Sequence, residues 1–147
     1  MQQKFRLIAE GRKVALELVV DAALPLVHAD ISLMERVLDN LIGNALKYTP
    51  EGGQVMVSLT AKDQLVWVDV SDSGVGIAST DLPFIFDRFY RAAGDRTRTA
   101  GAGLGLAITK RILDLHDAHI EVLSRDRGTC FRFCLPVPTT TTVGSSR

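Results

Sequence analysis

The first apolar pattern along the chain has a period of two. It is formed by Val14, Leu16, Leu18 and Val20. This spacing is typical of a β-strand with one buried face. Residues 21–25 then read as a turn, and residues 26–27 as a short second strand. Residues 1–11 mix charged and apolar positions, so they are either the end of a helix from a preceding domain or a frayed terminus.

The period becomes helical between residues 32 and 48. The apolar residues that recur at intervals of three and four are Leu33, Val37, Leu38, Leu41, Ile42 and Ala45. Ser32 followed by Glu35 fits a capping box, in which side chains satisfy the first free amides of a helix. Pro50 and the two glycines after it end the helix, because proline disfavours helical geometry in the residue before it.

The middle of the chain alternates between strand and helix patterns. Residues 55–60 and 65–71 are predicted as an antiparallel hairpin. A short helical stretch follows over 81–90, and a second long helix is predicted over 103–116. Residues 91–101 between them are polar and aperiodic, which is the composition of a mobile loop.

A final strand pair is predicted over 120–124 and 129–135. The tail over 137–147 is low in complexity and is predicted to be disordered. These elements predict an α/β fold of the two-layer α+β kind. Its sheet is mixed and mostly antiparallel, with helices on one face.

Composition adds limits rather than a function. With 147 residues, 46% of them hydrophobic, the chain has the size of one globular domain with a core. Lys plus Arg and Asp plus Glu number 17 each, so no overall field favours nucleic acid or an anionic membrane. We expect no nucleic-acid partner, and the absence of a long apolar stretch or signal peptide predicts that the piece as given is soluble.

Cys130 and Cys134 lie four residues apart in a predicted strand. Their side chains point the same way but are too far apart for a disulfide. We expect both to be reduced and buried, as is typical of a cytoplasmic domain.

Asn40, Asn44 and Lys47 fall on one stripe of the first long helix, opposite its apolar residues. Amide oxygens are suited to magnesium, which takes the rest of its shell from water and phosphates, and Lys47 supplies a positive charge for those phosphates. The alternative for the stripe alone is an ordinary solvated polar face.

Two glycine-rich runs carry the second signal. Residues 72–77 follow a strand, and their glycines let backbone approach a ligand, although a single such run is as often a plain turn. Residues 101–105 open a helix, where free amides and the helix dipole favour phosphate. The second run matches neither the dinucleotide fingerprint nor a Walker loop.

In this order the segments resemble the catalytic ATP-binding domain of sensor histidine kinases. These belong to the GHKL superfamily of ATPases and kinases, which includes DNA gyrase and MutL. The segments that resemble its asparagine, first glycine, phenylalanine and second glycine boxes are 38–50, 72–77, 85–91 and 101–108. The resemblance covers nearly the whole chain and implies the Bergerat fold with a mobile ATP lid.

The resemblance implies roles at the phosphate end of Mg-ATP. Asn44 would hold Mg2+. Asn40 and Lys47 would contact the phosphates, and Arg91 would reach them from the lid. Asn40, Lys47 and Arg91 are therefore the expected catalytic residues.

At the adenine end, Tyr48 would lie near the base, Asp72 would accept a hydrogen bond from its amine, and Thr129 would support it. Phe86 and Phe89 would anchor the lid over 92–100. The other nucleotide-binding positions that the resemblance implies are Gly74, Gly76, Ile77, Gly101, Gly103, Leu104, Gly105 and Leu106.

Two positions depart from the family pattern. The family commonly has a glycine pair after the histidine that ends the second helix, whereas Asp117 and Ala118 follow His116 here. Asp126 stands where a glycine is frequent. Both changes concern local turns. His116 and His119 are three apart, but without further ligands nearby we expect them to be structural or solvated rather than a metal pair.

Asn40 also bears on the reaction. Hydrolases and serine kinases of the superfamily typically carry a glutamate at this position as general base. An amide cannot accept a proton at neutral pH, whereas a histidine nucleophile already has a free lone pair. The sequence therefore favours a protein histidine kinase over an ATP hydrolase. A binding module that keeps ATP only as a structural ligand is the competing class.

The phosphoacceptor histidine is missing from this chain, because family members carry it in a separate helical dimerisation domain. His28, in a predicted strand or turn, is expected to be structural. We expect residues 1–12 to link to that domain and 13–136 to form the ATP-binding domain. The expected partners are the dimerisation domain and a response regulator. The isolated domain is expected to be monomeric, with its parent either free or anchored in the inner membrane.

Overall fold

The computed structural model describes residues 2–22, 29–87, 105–124 and 128–137. Its elements are α1 (Gln2–Arg12), β1 (Ala15–Val20), α2 (Ile31–Tyr48), β2 (Gln54–Lys62), β3 (Leu65–Asp72), a 3-10 turn (Leu82–Phe84), α3 (Gly105–Leu115), β4 (Ile120–Ser124) and β5 (Thr129–Pro136). None of these helices is both long and apolar enough to cross a membrane. The predicted strand over 26–27 lies outside the described residues.

The five strands form one sheet in the order β1-β2-β3-β5-β4. β1 pairs with β2 in parallel, and every other pair is antiparallel. The predicted mixed, mostly antiparallel sheet is therefore confirmed, as are the β2–β3 hairpin and the β4–β5 pair. Asp63 and Gln64 both have positive φ, which is the backbone of a tight two-residue hairpin turn.

One face of the sheet is covered by helices. Alternate residues of β3 and β5 are buried, and α2 contacts both β2 and β3. The largest fully buried side chains of this core are Phe133, Leu41, Leu46, Leu113, Val37, Val55 and Val70. The apolar period of α2 thus predicts the face that packs on the sheet.

The opposite sheet face is partly exposed along β3 and β5. There Arg132 donates to both carboxylate oxygens of Asp69, at 2.6 and 3.4 Å, and its guanidinium lies 5.5 Å from the centre of the Trp67 ring. Cys130 and Cys134 occupy the same face; both are free thiols but only half-buried. The expectation that they are buried is wrong, because their strand turns them away from the helices.

α1 resolves the alternatives for the N-terminus in favour of a helix. Phe5 and Ala9 are buried in the core, and Phe5 lies close to Gly43 of α2. Lys4 adds an ion pair with Asp39 of α2 at 3.6 Å. The helix is therefore packed on α2 rather than frayed. Its continuation into a preceding domain stays a prediction.

The start of α2 differs from the predicted capping box. Its N-cap is Asp30, whose Oδ1 accepts a hydrogen bond from the Leu33 amide at 2.9 Å, so Ser32 lies inside the first turn. Aspartate caps helices as well as serine does, which makes neighbouring cap residues hard to separate by sequence. The Asp30 amide in turn donates to Nε2 of His116 at 3.2 Å. That histidine has a structural role, as expected.

The end of α3 shows what replaces the family's glycine pair. Asp117 adopts the left-handed conformation, with φ of 54°, and the Ala118 amide donates to the Leu113 carbonyl at 2.8 Å. Such a helix end normally uses glycine, and aspartate is among the residues that tolerate this backbone. Asp126 lies outside the described residues.

The helix predicted over 81–90 is, in its described part, only the 3-10 turn Leu82–Phe84 with a further turn to Asp87. Pro83 lies within this turn and removes an amide donor, which limits regular helix formation. The helix predicted over 103–116 is confirmed from Gly105 to Leu115, and residues 103 and 104 lie outside the described part.

The last turn of α2 is held by α1. Nε of Arg12 donates to the Leu46 carbonyl at 2.9 Å, and Nη2 donates to the Lys47 carbonyl at 2.8 Å. The Gly52 amide beyond the helix also donates to the Lys13 carbonyl, at 2.8 Å. These hydrogen bonds join the C-terminal ends of α1 and α2 next to the predicted site residues Lys47 and Tyr48.

We expect Arg12→Met to lower the free energy of unfolding by about 1–2 kcal/mol. Methionine keeps an apolar side chain but removes the donors and the charge that face the carbonyl end of α2. Urea unfolding measures the change. Arg6→Met on the exposed side of α1 is the matched control, expected within about 0.5 kcal/mol of wild type. Equal stability of the Arg12 and Arg6 variants would contradict the role of this contact.

Candidate functional site

Asn40, the first residue of the polar stripe of α2, contacts the start of α3. Asn40, Asn44 and Lys47 are all half-buried. The Asn40 side-chain nitrogen donates to the Gly105 carbonyl at 3.2 Å and to Oγ1 of Thr109 at 3.3 Å. The second glycine run therefore ends beside the first asparagine of the stripe, so two of the predicted motifs are in contact. Asn40 is therefore not simply part of a solvated face.

The C-terminal end of the stripe carries a cation beside an aromatic ring. Nζ of Lys47 lies 5.4 Å from the centre of the Tyr48 ring, and both side chains are half-buried. Thr49 ends the helix with its hydroxyl donating to the Ala45 carbonyl at 2.7 Å. The positive charge and the ring are thus presented together at the last turn of α2.

Asp72 lies at the end of β3, between β2 and β5. Its Oδ1 accepts a hydrogen bond from the Gly74 amide at 2.8 Å, and the Thr129 amide also bonds to the carboxylate. Burial raises the pKa of Asp72 above its ordinary value of 3.8, and the two backbone hydrogen bonds oppose this rise. The backbone thus orients a partly desolvated carboxylate.

The loop after Asp72 is fixed at both of its ends. A Cβ on Gly74 would lie 2.5 Å from the Tyr48 carbonyl oxygen, so the loop backbone rests directly on the end of α2. At the other end, the Ile77 amide donates to Oγ of Ser124 at 2.6 Å. Gly76 between them has a positive φ of 77°. The loop is thereby held between the end of α2 and the end of β4.

Among the described residues, contacts join Asn40 to Gly105, the Tyr48 carbonyl to Gly74, and Asp72 to Gly74 and Thr129. Asn44 and Lys47 lie on α2 with Asn40 and Tyr48, Gly76 and Ile77 follow Gly74 in the loop after β3, and Leu106 follows Gly105 on α3. Phe89, Arg91, Gly101, Gly103 and Leu104 lie outside the described residues. Phe86 contacts Phe131 edge to face, with ring centres 6.3 Å apart. The nucleotide roles of all these residues remain predictions.

Sequence reasoning missed two residues that shape this region. Thr109 is fully buried on α3 and accepts from Asn40. Gly128 has a φ of 105°, and a Cβ there would lie 2.4 Å from the Asp72 carbonyl oxygen. Thr109 could have been found from the sequence, because it is a polar residue among the apolar inward positions of α3. Gly128 depends on the approach of β5 to β3, which no local pattern reveals.

We expect Gly74→Ala to lower the free energy of unfolding by about 1–3 kcal/mol, because the added methyl meets the rigid Tyr48 carbonyl and something must shift. Urea unfolding tests this. Gly11→Ala in α1 is the matched control, since nothing lies within 4 Å of its added Cβ, and it should be neutral or stabilising. A Gly74→Ala protein as stable as wild type would disprove the close packing.

The raised pKa of Asp72 predicts a pH dependence of folding. Because the folded pKa lies above the unfolded value, this group's stabilising contribution is full below pH 3.8 and is lost as the pH rises through the folded pKa. Asp72→Asn cannot titrate, so we expect it to gain stability relative to wild type over that rise. Unfolding of both proteins measured across the acidic range tests this, and a constant difference would contradict it.

Comparison with known proteins identifies the family. Residues 29–139 match the model of the histidine kinase-, DNA gyrase B- and HSP90-like ATPase family. The chain is 43% identical over 133 residues to sensor histidine kinase CusS of Escherichia coli O157:H7, which covers 90% of this chain and 27% of CusS. The chain thus spans about a quarter of that relative's length.

Two solved structures extend the match to three dimensions. The mycobacterial sensor histidine kinase MprB aligns with a TM-score of 0.77 and 30% identity, over 92% of this chain and 91% of that one. Full-length ShkA in complex with AMPPNP aligns with a TM-score of 0.79 and 31% identity, over 92% of this chain and 28% of that one. The chain therefore belongs to the histidine kinase-, DNA gyrase B- and HSP90-like ATPase family, as an ATP-binding catalytic domain of the sensor histidine kinase type.

Proposed function

We propose that this domain binds Mg-ATP and donates its γ-phosphate to a histidine on a separate dimerisation domain of its parent chain, for relay to a response regulator. The observation that carries the proposal is the junction of α2, the loop after β3 and the start of α3. There α2 contacts Gly105 of α3 through Asn40 and Gly74 of the loop through the Tyr48 carbonyl, and the half-buried Lys47 and Asp72 lie close in sequence to the second contact. The ATP analogue bound to the related ShkA supports ATP as the nucleotide.

The two ends of this region suit the two ends of ATP. Asp72, oriented by backbone amides, can accept a hydrogen bond from the exocyclic amine of adenine. Lys47 supplies positive charge for phosphates. The ring of Tyr48, next to that lysine, offers an apolar surface to the base. The region thus offers a hydrogen-bond acceptor and an aromatic ring for adenine and a positive charge for the phosphates.

The chemistry of the donor set also fits magnesium. Asn44 offers a neutral amide oxygen, and magnesium takes oxygen ligands while keeping several waters. When bound, the ion would neutralise charge on the phosphates. Asn44 lies one helical turn after Asn40, on the same stripe as Lys47. Asn44 is therefore our proposed metal ligand, and Lys47 with Arg91 our proposed phosphate contacts.

The side chain at position 40 argues for transfer to histidine rather than hydrolysis. Its amide nitrogen is committed to α3, and an amide has no basic lone pair to activate water. A neutral imidazole has a free lone pair and requires mainly positioning to attack a phosphate. The domain's share of the reaction is then to bind and align ATP, while the nucleophile comes from the dimerisation domain.

We expect the chain to need magnesium to bind ATP in the micromolar range, with far weaker binding of metal-free ATP and negligible turnover. Asn44→Ala and Asp72→Ala should each weaken Mg-ATP binding about tenfold or more in calorimetry, because each removes a group that contacts the ligand. Asp69→Ala is the matched control: it lies on the same strand but on the opposite sheet face, paired with Arg132. Wild-type affinity in both site variants would refute the proposed site.

A second experiment distinguishes the kinase from a module that only holds ATP. The domain is mixed with γ-labelled ATP and the dimerisation domain of its own parent chain. Label that appears on histidine, as judged by its acid lability, supports the kinase. Tight Mg-ATP binding without any transfer identifies the module instead.

A further inference from the structure

Contacts with α3 orient the carboxamide of Asn40 so that its nitrogen faces α3. Its nitrogen lies 3.2 Å from the Gly105 carbonyl oxygen and 3.3 Å from Oγ1 of Thr109. A carbonyl oxygen can only accept, so the amide nitrogen must be the atom that faces α3. Its two hydrogens are then both used. Oδ1, on the other arm of the planar group, accepts no hydrogen bond from any described residue.

Of the two acceptors for the Asn40 amide, Gly105 offers a backbone carbonyl and Thr109 a side-chain hydroxyl. Only the second depends on the residue type. The Thr109 side chain has 0% exposure and lies one turn before the buried Ile112 and Leu113. A buried hydroxyl costs free energy unless it is hydrogen-bonded, and Asn40 donates to this one across the packing of α2 on α3. The same contact therefore satisfies the threonine and fixes the rotation of the amide.

The fixed rotation changes what Asn40 can bind. An amide whose hydrogens are both used cannot donate to a phosphate oxygen, and its oxygen would repel one. An amide oxygen can coordinate magnesium or accept a hydrogen bond from the waters that magnesium retains. The metal side of Mg-ATP is thus the ligand chemistry that the exposed atom of Asn40 suits.

We propose that Thr109 is a positioning residue that holds Asn40 with its oxygen toward magnesium and its water shell. This inference rests on the proposed Mg-ATP function. It replaces the expectation that Asn40 contacts the phosphates. Without the threonine hydroxyl, one hydrogen of the Asn40 amide loses its acceptor. The amide group can then rotate so that its nitrogen, instead of Oδ1, faces the magnesium side of the ligand.

The test uses the whole 147-residue chain. Calorimetry measures ATP affinity with excess magnesium and with a chelator, for wild type, Thr109→Val, Thr109→Ser and Ile112→Val. Valine keeps the shape of threonine and removes the hydroxyl, whereas serine restores the hydroxyl. Ile112→Val perturbs the same buried face of α3 without touching Asn40. A thermal melt of each protein verifies that it is folded.

We expect Thr109→Val to weaken Mg-ATP binding about five- to tenfold, the equivalent of one hydrogen bond, while metal-free ATP binding changes less than about twofold. Thr109→Ser should recover most of the loss, and Ile112→Val should bind like wild type. Equal weakening with and without magnesium, no weakening, or no recovery by serine would each overturn the inference. Failure of wild type itself to bind Mg-ATP would instead refute the proposed function and this inference with it.

Discussion

The fixing of α2 at both of its ends is the constraint on which the rest of the structure depends. At its start, Asp30 caps the helix and is itself bonded to His116 at the end of α3. At its end, Arg12 of α1 binds the last carbonyls. The apolar side of α2 lies on the sheet between these anchors, so its polar side is held in a fixed direction.

The two other site segments are built against this fixed helix. The loop after β3 can approach the end of α2 only because Gly74 has no side chain, and the start of α3 meets Asn40 through Gly105. These are contacts within the protein. Gly74 therefore has a packing role that holds before any ligand is considered, whereas a Cβ at Gly105 would make only ordinary contact with Asn40, at 3.7 Å from its Cγ. The sequence analysis assigned the run at Gly74 to ligand approach and the run at Gly105 to phosphate binding, because a loop pattern does not show what the backbone touches.

The sequence predicted the regular parts of the fold well. The period of α2 placed its start within one residue of Ile31 and its end at Tyr48, since helix period and stop signals are local. Two predictions were wrong: the cap is Asp30 instead of Ser32, and the helical stretch predicted from residue 81 is a short 3-10 turn at Leu82 in its described part. Several nearby residues satisfy the same local rules. The half-buried cysteines show a related limit: alternation predicts that residues share a face, but not which face the helices cover.

The candidate site was predictable as a set of residues but not as an arrangement of atoms. The spacing of Asn40 and Asn44 places two amides on one stripe, and only the crossing of α2 and α3 determines which atom of the first amide is left for a ligand. The same holds for Asp72, whose acidity depends on burial and on amides from two separate segments. With no net charge on the chain, ligand selection depends on such local groups. Their orientation, set by backbone and buried hydroxyl contacts, is therefore what distinguishes the proposed site from a common polar stripe.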